Sequence, residues 1–345
     1  MHMKTLPFTF TLMILTALLF LSCSKRDDDD SLSESGPIIH AVGKINDKAI
    51  YWKNSSVTVL GKGPGASEAV GMTMNGADIY VVGYEINANG KYVARYWKNG
   101  SAVDLTDGSN DARANSIVIA GTDVYIAGQE MVSGGTTYIA KYWKNGVSVS
   151  LTDAGENAIS SDIAVLGNDV YVIGERRQLN WLNPVTCYWK NGQRTDLSDQ
   201  NSAADNQAIY IIGNDVYTMW STIYNKQGQI QTRYSKNFSQ PTLIQDGTSS
   251  SRGTSLIVKN NDVYIGGCGV SATGNTMSAK YWKNGTPVTL SSDDSQALSI
   301  VLLNNEVYTA GYQNSTATYW HKGNYKTLPS SSGSSLIRKI IVKDN

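Results

Sequence analysis

Beyond residue 36 the apolar positions come in short runs, and small turn residues interrupt every one of them. In residues 111–153, Ser116-Ile117-Val118-Ile119 reads as a strand covered on both faces. Gly121-Thr122 turns it into a second strand, Asp123-Val124-Tyr125-Ile126-Ala127-Gly128. After a variable stretch comes a third, Tyr138-Ile139-Ala140-Lys141-Tyr142-Trp143, which Asn145-Gly146 turns into a fourth, Val147-Ser148-Val149-Ser150-Leu151. The pattern predicts four antiparallel strands, A to D. Asn-Gly at the C–D turn and Gly or Asn pairs at the A–B turn, such as Gly213-Asn214, Asn260-Asn261 and Asn304-Asn305, suit type I′ hairpins, in which both central residues take positive φ. Phe238 replaces the turn glycine in the fifth unit, which predicts a turn of different shape there.

The unit repeats. Tyr-Trp-Lys-Asn stands at Tyr51–Asn54, Tyr96–Asn99, Tyr142–Asn145, Tyr188–Asn191 and Tyr281–Asn284, with degenerate copies at Tyr234–Asn237 and Tyr319–Lys322. From Trp to its equivalent the steps are 45, 46, 46, 46, 47 and 38 residues. A period of this size made only of strands points to propeller blades. The A–B signature appears six times, centred on Tyr80, Tyr125, Tyr171, Tyr217, Tyr264 and Tyr308, and the C–D signature seven times. The spare pieces are a B strand at Ile38–Gly43 and an A strand at Ser335–Val342. Their pairing would complete a seventh blade and remove the exposed edges of a linear array, so the expected fold is an all-β, seven-bladed β-propeller over 37–345.

Composition agrees. Tyr (20) far outnumbers Phe (4), Gly is abundant (32), and no helical periodicity appears outside the N-terminus. Twenty-nine basic and 29 acidic residues cancel, so charge offers no ground for a nucleic-acid partner.

Lys4, the apolar run Leu6–Leu21 and Ser22-Cys23 read as a signal segment over 1–22, too short to span a bilayer. Phe20-Leu21-Ser22-Cys23 resembles the lipobox of bacterial lipoproteins, although an aliphatic residue is usual where Phe20 stands. The resemblance implies acylation of Cys23 and a membrane partner through the lipid. Residues 23–36, with Asp27–Asp30 among serines, read as a flexible tether. The acidic run looks like the export signal of surface-exposed lipoproteins in some Gram-negative lineages, which implies an outer-membrane, outward-facing protein; a periplasm-facing one is the alternative. Cys187 and Cys268, in different repeats, make no disulfide framework.

Trp-Lys-Asn-Gly followed by Asp104-Leu105 or Asp196-Leu197 resembles the extracellular HAF repeats, which implies a secreted repeat protein and carries over no catalytic residue. The Trp-Asp and Gly-His pairs of WD-type repeats are absent.

In an antiparallel meander the A–B and C–D turns share one end of each blade. The B–C and D–A connections share the other, and all the long irregular segments belong to it. That rim is where binding residues are expected. Six of the eight tryptophans belong to the repeat and are expected between blades; Trp181 and Trp220 do not, and read as lying in B–C connections of neighbouring blades. With Tyr224, Glu175, Arg176 and Arg177 nearby, they suit a sugar ring or a peptide. The alternative is packing: Trp181 over its own loop, Trp220 against strand C. His40 and His321 occupy repeat positions and read as structural, as do Asp123, Asp169, Asp215 and Asp262, whose carboxylates are expected to accept backbone N–H bonds at turns. Acidic residues in D–A connections (Asp107, Asp111, Asp153, Glu156, Asp199, Asp205, Asp246, Asp293, Asp294) raise calcium at the channel mouth, but no contiguous calcium loop is present. No cofactor motif appears. The expectation is a monomeric, lipid-anchored binding or scaffolding module for a glycan or peptide, with a carboxylate-dependent carbohydrate-active enzyme or a protein–protein platform as alternatives.

Overall fold

Seven four-stranded antiparallel sheets stand around a channel in the computed structural model, and each sheet is one repeat. The structure describes residues 36–178, 183–199, 203–223, 229–244, 250–270, 276–330 and 332–345. The signal segment, Cys23 and most of the tether lie outside them. Blade 1 comprises β28 (Ser335–Lys343), β1 (Ile38–Ile45), β2 (Lys48–Lys53) and β3 (Ser56–Val59). Blades 2 and 3 are β4 (Ser67–Asn75) to β7 (Ser101–Asp104) and β8 (Ala112–Ala120) to β11 (Val147–Ser150). Blade 4 has β12 (Glu156–Leu166), β13 (Asp169–Gln178), β14 (Val185–Lys190) and β15 (Gln193–Asp196). Blade 5 has β16 (Ala203–Ile212), β17 (Asp215–Ile223), β18 (Ile230–Lys236) and β19 (Thr242–Ile244). Blades 6 and 7 run from β20 (Ser251–Lys259) to β23 (Thr286–Thr289) and from β24 (Ser295–Leu303) to β27 (Asn324–Thr327).

The ring closes as expected. β28 pairs antiparallel with β1 from Ile38↔Lys343 to Ile45↔Ser335, and Ile337 and Ile340 are fully buried there. The inner A strands line the channel, so their apolar runs face a cavity on one side rather than core on both.

Repeat tryptophans hold neighbouring blades together. Trp97 packs with Val42 and Ala49 of blade 1, Trp143 with Tyr80 and Val82 of blade 2, and Trp189 with Tyr125 and Ala127 of blade 3. All six are at most 1% exposed. Each indole needs room, and a strand-B glycine supplies it: a Cβ on Gly128 would meet the Trp143 ring at 2.9 Å and the Arg113 carbonyl oxygen at 2.0 Å. That carbonyl approaches because, in the glycine-bearing blades, the A strand carries a bulge beside the glycine.

Blade 5 exchanges the two positions. Ser235 stands where the tryptophan belongs, and Trp220 stands where the glycine belongs. Ser235 pairs across the ladder with Thr218, and Trp220, two residues further along, projects from the same face. Trp220 is 3% exposed. The ring has moved one strand inward, which corrects its expected place on a B–C loop. With a side chain at the glycine position the usual bulge cannot persist: Gln207 pairs with Trp220, and Asp205 and Asn206 leave the ladder one step nearer the channel mouth.

At the short-turn end the repeat motif explains itself. In blade 3 the Asn145 side-chain oxygen accepts the Val124 N–H at 2.9 Å, its amide donates to Asp123 at 2.8 Å, and Lys144 pairs with Asp123 at 2.8 Å beneath the Tyr125 ring. The same arrangement recurs at Asp169, Asp215 and Asp262. These carboxylates therefore accept from Asn and Lys side chains, and it is the Asn oxygen that takes the backbone N–H.

Two turn expectations change. Four A–B turns have positive φ only at their first central residue (Gly76, Gly121, Gly167, Gly213), the type II′ pattern; only Asn260-Asn261 and Asn304-Asn305 have it at both. The Phe238 turn keeps the shape of its relatives, with Asn237 at φ 50° and Phe238 at φ 58°. Its ring stacks on Tyr188 of blade 4 at 3.9 Å between centroids, which offsets the roughly 1–2 kcal/mol cost of a left-handed residue.

Candidate functional site at the channel mouth

The channel has a volume of about 790 Å³, within the range of small-molecule sites. Its mouth at the long-loop end is built from the first residues of the A strands and the B-strand residues beside them. Unlike the tryptophan layer, these positions differ from blade to blade.

On blades 4 to 6 the mouth is acidic and amide-rich. The Gln207 amide reaches Glu175 at 3.5 Å and the Asp205 carbonyl at 3.2 Å, while its oxygen accepts from Ser161 at 2.6 Å. Burial pushes the Glu175 carboxyl up to about 7, the Asp205 charge adds to the shift, and Gln207 and Arg177 oppose it. Burial also raises Asp205, against the opposing pull of Arg252, whose Nε lies 2.9 Å away. Two carboxyls whose proton affinity burial raises thus stand on adjacent blades.

On blades 1 to 3 the mouth is aromatic and cationic. Glu68 binds Arg338 at 2.5 Å and Lys44 at 3.7 Å and accepts from the Tyr84 hydroxyl at 3.1 Å. Burial alone would raise the Glu68 carboxyl, but these partners hold it below its usual range. Arg113 lies over the rings of Tyr84 and Tyr92, at 4.7 and 4.3 Å from their centroids. Deeper in the channel Asp162 accepts from Ser116 at 2.5 Å and from the Ile209 N–H at 2.9 Å, tying blades 3, 4 and 5 together. Burial raises its carboxyl in spite of Lys339.

The residues grouped by sequence separate here. Trp181 and Tyr224 lie outside the described residues. Glu175, Arg176 and Arg177 belong to β13, not to a loop, and alternate between its faces. Glu175 reaches the mouth. Arg176 is 3% exposed and bound to Asp196 at 2.7 Å and Glu156 at 3.5 Å, a structural cluster that also takes Arg194. Arg177 is exposed, and Trp220 is core. The loop acids serve their own surroundings: Asp107 accepts the Ser109 N–H, Asp111 the Tyr92 N–H, and Asp293 the Gln313 amide. Asp246 lies outside the described residues. Among the described residues no three His, Cys, Asp or Glu side chains gather to hold a metal. Cys187 and Cys268 are buried and unpaired, and burial pushes the Cys268 thiol up to about 12, far from thiolate chemistry.

Arg113, Gln207 and Arg252 were not singled out by the sequence reading. For the two arginines a signal was present all the same: at one A-strand position the seven blades hold Leu336, Glu68, Arg113, Ile159, Asp205, Arg252 and Gln296, a scatter of chemistry inside an otherwise regular strand.

The polar channel mouth is carried on a seven-bladed propeller, and comparison with solved structures supports that scaffold. The fold is similar to a puromycin-hydrolyzing peptidase of Mycobacterium tuberculosis (TM-score 0.56, 9% identity, 86% of this chain and 54% of that one). It is also similar to an acylaminoacyl peptidase solved with Z-Gly-Gly-Phe-chloromethyl ketone (TM-score 0.51, 11% identity, 86% and 51%). The acylaminoacyl peptidase of Pyrococcus horikoshii gives a TM-score of 0.50 at 10% identity, covering 87% and 53%. The chain spans about half the length of these peptidases, and identities this low show the fold alone. No protein-family model matches the chain, and no curated protein matches it in sequence.

Proposed function

We propose that this protein is a lipid-anchored binding module that takes a glycan at the channel mouth. The observation that carries the reading is the division of the mouth: tyrosine rings and Arg113 on one side, Glu175, Asp205 and Gln207 on the other. Aromatic faces pack against the C–H faces of a sugar, while carboxylates and amides accept and donate to its hydroxyls. Acylation at Cys23 and the acidic tether would hold the ring at the outer membrane, facing outward, as a monomer. Isothermal titration of the full chain against a glycan panel tests the binding. Tyr84→Ala with Tyr92→Ala should weaken the best glycan at least tenfold, and unchanged affinity would remove the mouth from the account. Intact-mass measurement of membrane-extracted protein tests the anchor, because Cys23→Ala should lose the lipid mass.

One observation favours a second reading. A carboxyl raised to about 7 beside a second carboxyl is the arrangement a glycosidic acid–base pair uses. If the protein turns over its glycan, Glu175→Gln and Asp205→Asn should each abolish turnover while leaving binding within severalfold.

A further inference from the structure

Arg113 differs from the other mouth cations. Arg338 has Glu68, Arg252 has Asp205, and Lys91 has Asp111 at 3.7 Å. Deeper down, Lys339 shares its field with Asp162. Among the described residues, no carboxylate lies within ion-pair distance of Arg113, and no group accepts a hydrogen bond from it. Two tyrosine rings, set at 65° with centroids 5.1 Å apart, carry the guanidinium carbon over both of them. Ring contacts do not use the N–H donors at the edge of the fork. The side chain lines the channel, so those donors are placed where a ligand enters.

We propose that Arg113 anchors a carboxylate of the ligand, and that the ligand is a uronate-bearing glycan. The inference rests on the glycan reading above and narrows it. A guanidinium and a carboxylate form two parallel charge-assisted hydrogen bonds, stronger and more directional than a contact to a neutral hydroxyl. An uncompensated guanidinium over two rings suits a monoanion; Arg177, the other arginine here without an ion pair among the described residues, shares its field with Glu175. The adjoining wall on blades 4 and 5 does not invite a second negative group, because Glu175 and Asp205 already stand there, but it can take hydroxyls. Beside Arg113 the channel presents Asn115 and Gln129, joined at 2.7 Å, rather than an apolar socket for a peptide side chain. Planar fork, aromatic floor and amide walls together describe a sugar acid better than a chain terminus.

The test is titration of the full chain with glucuronate and galacturonate oligomers, their neutral glucose and galactose counterparts, and peptides with free or amidated C-termini. The proposal expects the acidic oligomers to bind at least tenfold tighter than the neutral ones. Arg113→Met should erase that difference, and Arg113→Lys should recover only part of it, since a lysine keeps the charge and loses the fork. Melting curves of both variants should overlay that of the parent. Equal binding of acidic and neutral glycans, unaffected by Arg113→Met, would overturn the anchor while leaving a glycan site. Preference for free over amidated peptides without uronate binding would overturn the glycan. Failure of every probe would overturn both.

Discussion

The two ends of this ring follow different rules. At the short-turn end Lys, Asp and Asn repeat with nearly the same geometry, at Lys144–Asp123–Asn145, Lys190–Asp169–Asn191 and Lys283–Asp262–Asn284. In each of these sets the charges are paired within their own blade. At the other end Glu68, Arg113, Asp205 and Arg252 occupy equivalent places with different chemistry, and their partners come from neighbouring blades or, for Arg113, from rings alone. Repetition marks what each blade needs in order to fold. At the mouth, departure from it brings together side chains of different blades that only the assembled ring juxtaposes.

Blade 5 is where that contrast can be broken most sharply. Trp220→Ala should cost about 3–5 kcal/mol, as for other buried aromatic truncations, read by chemical denaturation. Restoring the repeat with Trp220→Gly and Ser235→Trp together should recover most of the loss and draw Asp205 and Asn206 back into the ladder. A double variant no more stable than Trp220→Ala would show that the two positions do not exchange one ring.

The next effect separates the mouth from the rest by pH. Glu175 has a folded-state pKa raised to about 7 from 4.5, so its contribution to stability is fully present below about pH 4.5 and is lost as pH rises through 7. Glu175→Gln should therefore melt higher than the parent at pH 8 by a few degrees and match it near pH 4.5. His40, at the ring closure, works in the opposite sense. Burial, Lys53 and Lys343 lower its pKa, so its contribution is present above about 6.5 and is lost as pH falls through the depressed value. His40→Tyr, which restores the repeat residue, should soften the acid side of the melting profile. The smallest effect belongs to the short-turn end: Lys283→Met removes an exposed pair and should leave the melting temperature within error, since such pairs are screened by solvent.

Much of the architecture was legible before any coordinates. A 46-residue period with Asn-Gly turns specifies blades, and an unmatched A strand at Ser335–Val342 specifies its closing partner. The site was legible only in part. Glu175 was named and reaches the mouth, but Arg176 beside it is sequestered by Asp196 and Glu156, because adjacent strand residues leave opposite faces. Trp220 looked like a loop aromatic because it breaks the repeat. Only the pairing of Thr218 with Ser235 places it on the face that the missing ring would occupy. Arg113 stands out in sequence only as one of a scatter of residues at its repeat position; its partners Tyr84 and Tyr92 come from the neighbouring blade, which no local pattern shows.

The most direct measurement sets the two ends against each other in one experiment. Titration of a uronate oligomer into the full chain should lose at least tenfold in affinity with Arg113→Met and nothing measurable with Lys144→Met, both variants melting like the parent. Equal affinity in all three proteins, or a loss confined to Lys144→Met, would contradict the assignment of function to the irregular mouth.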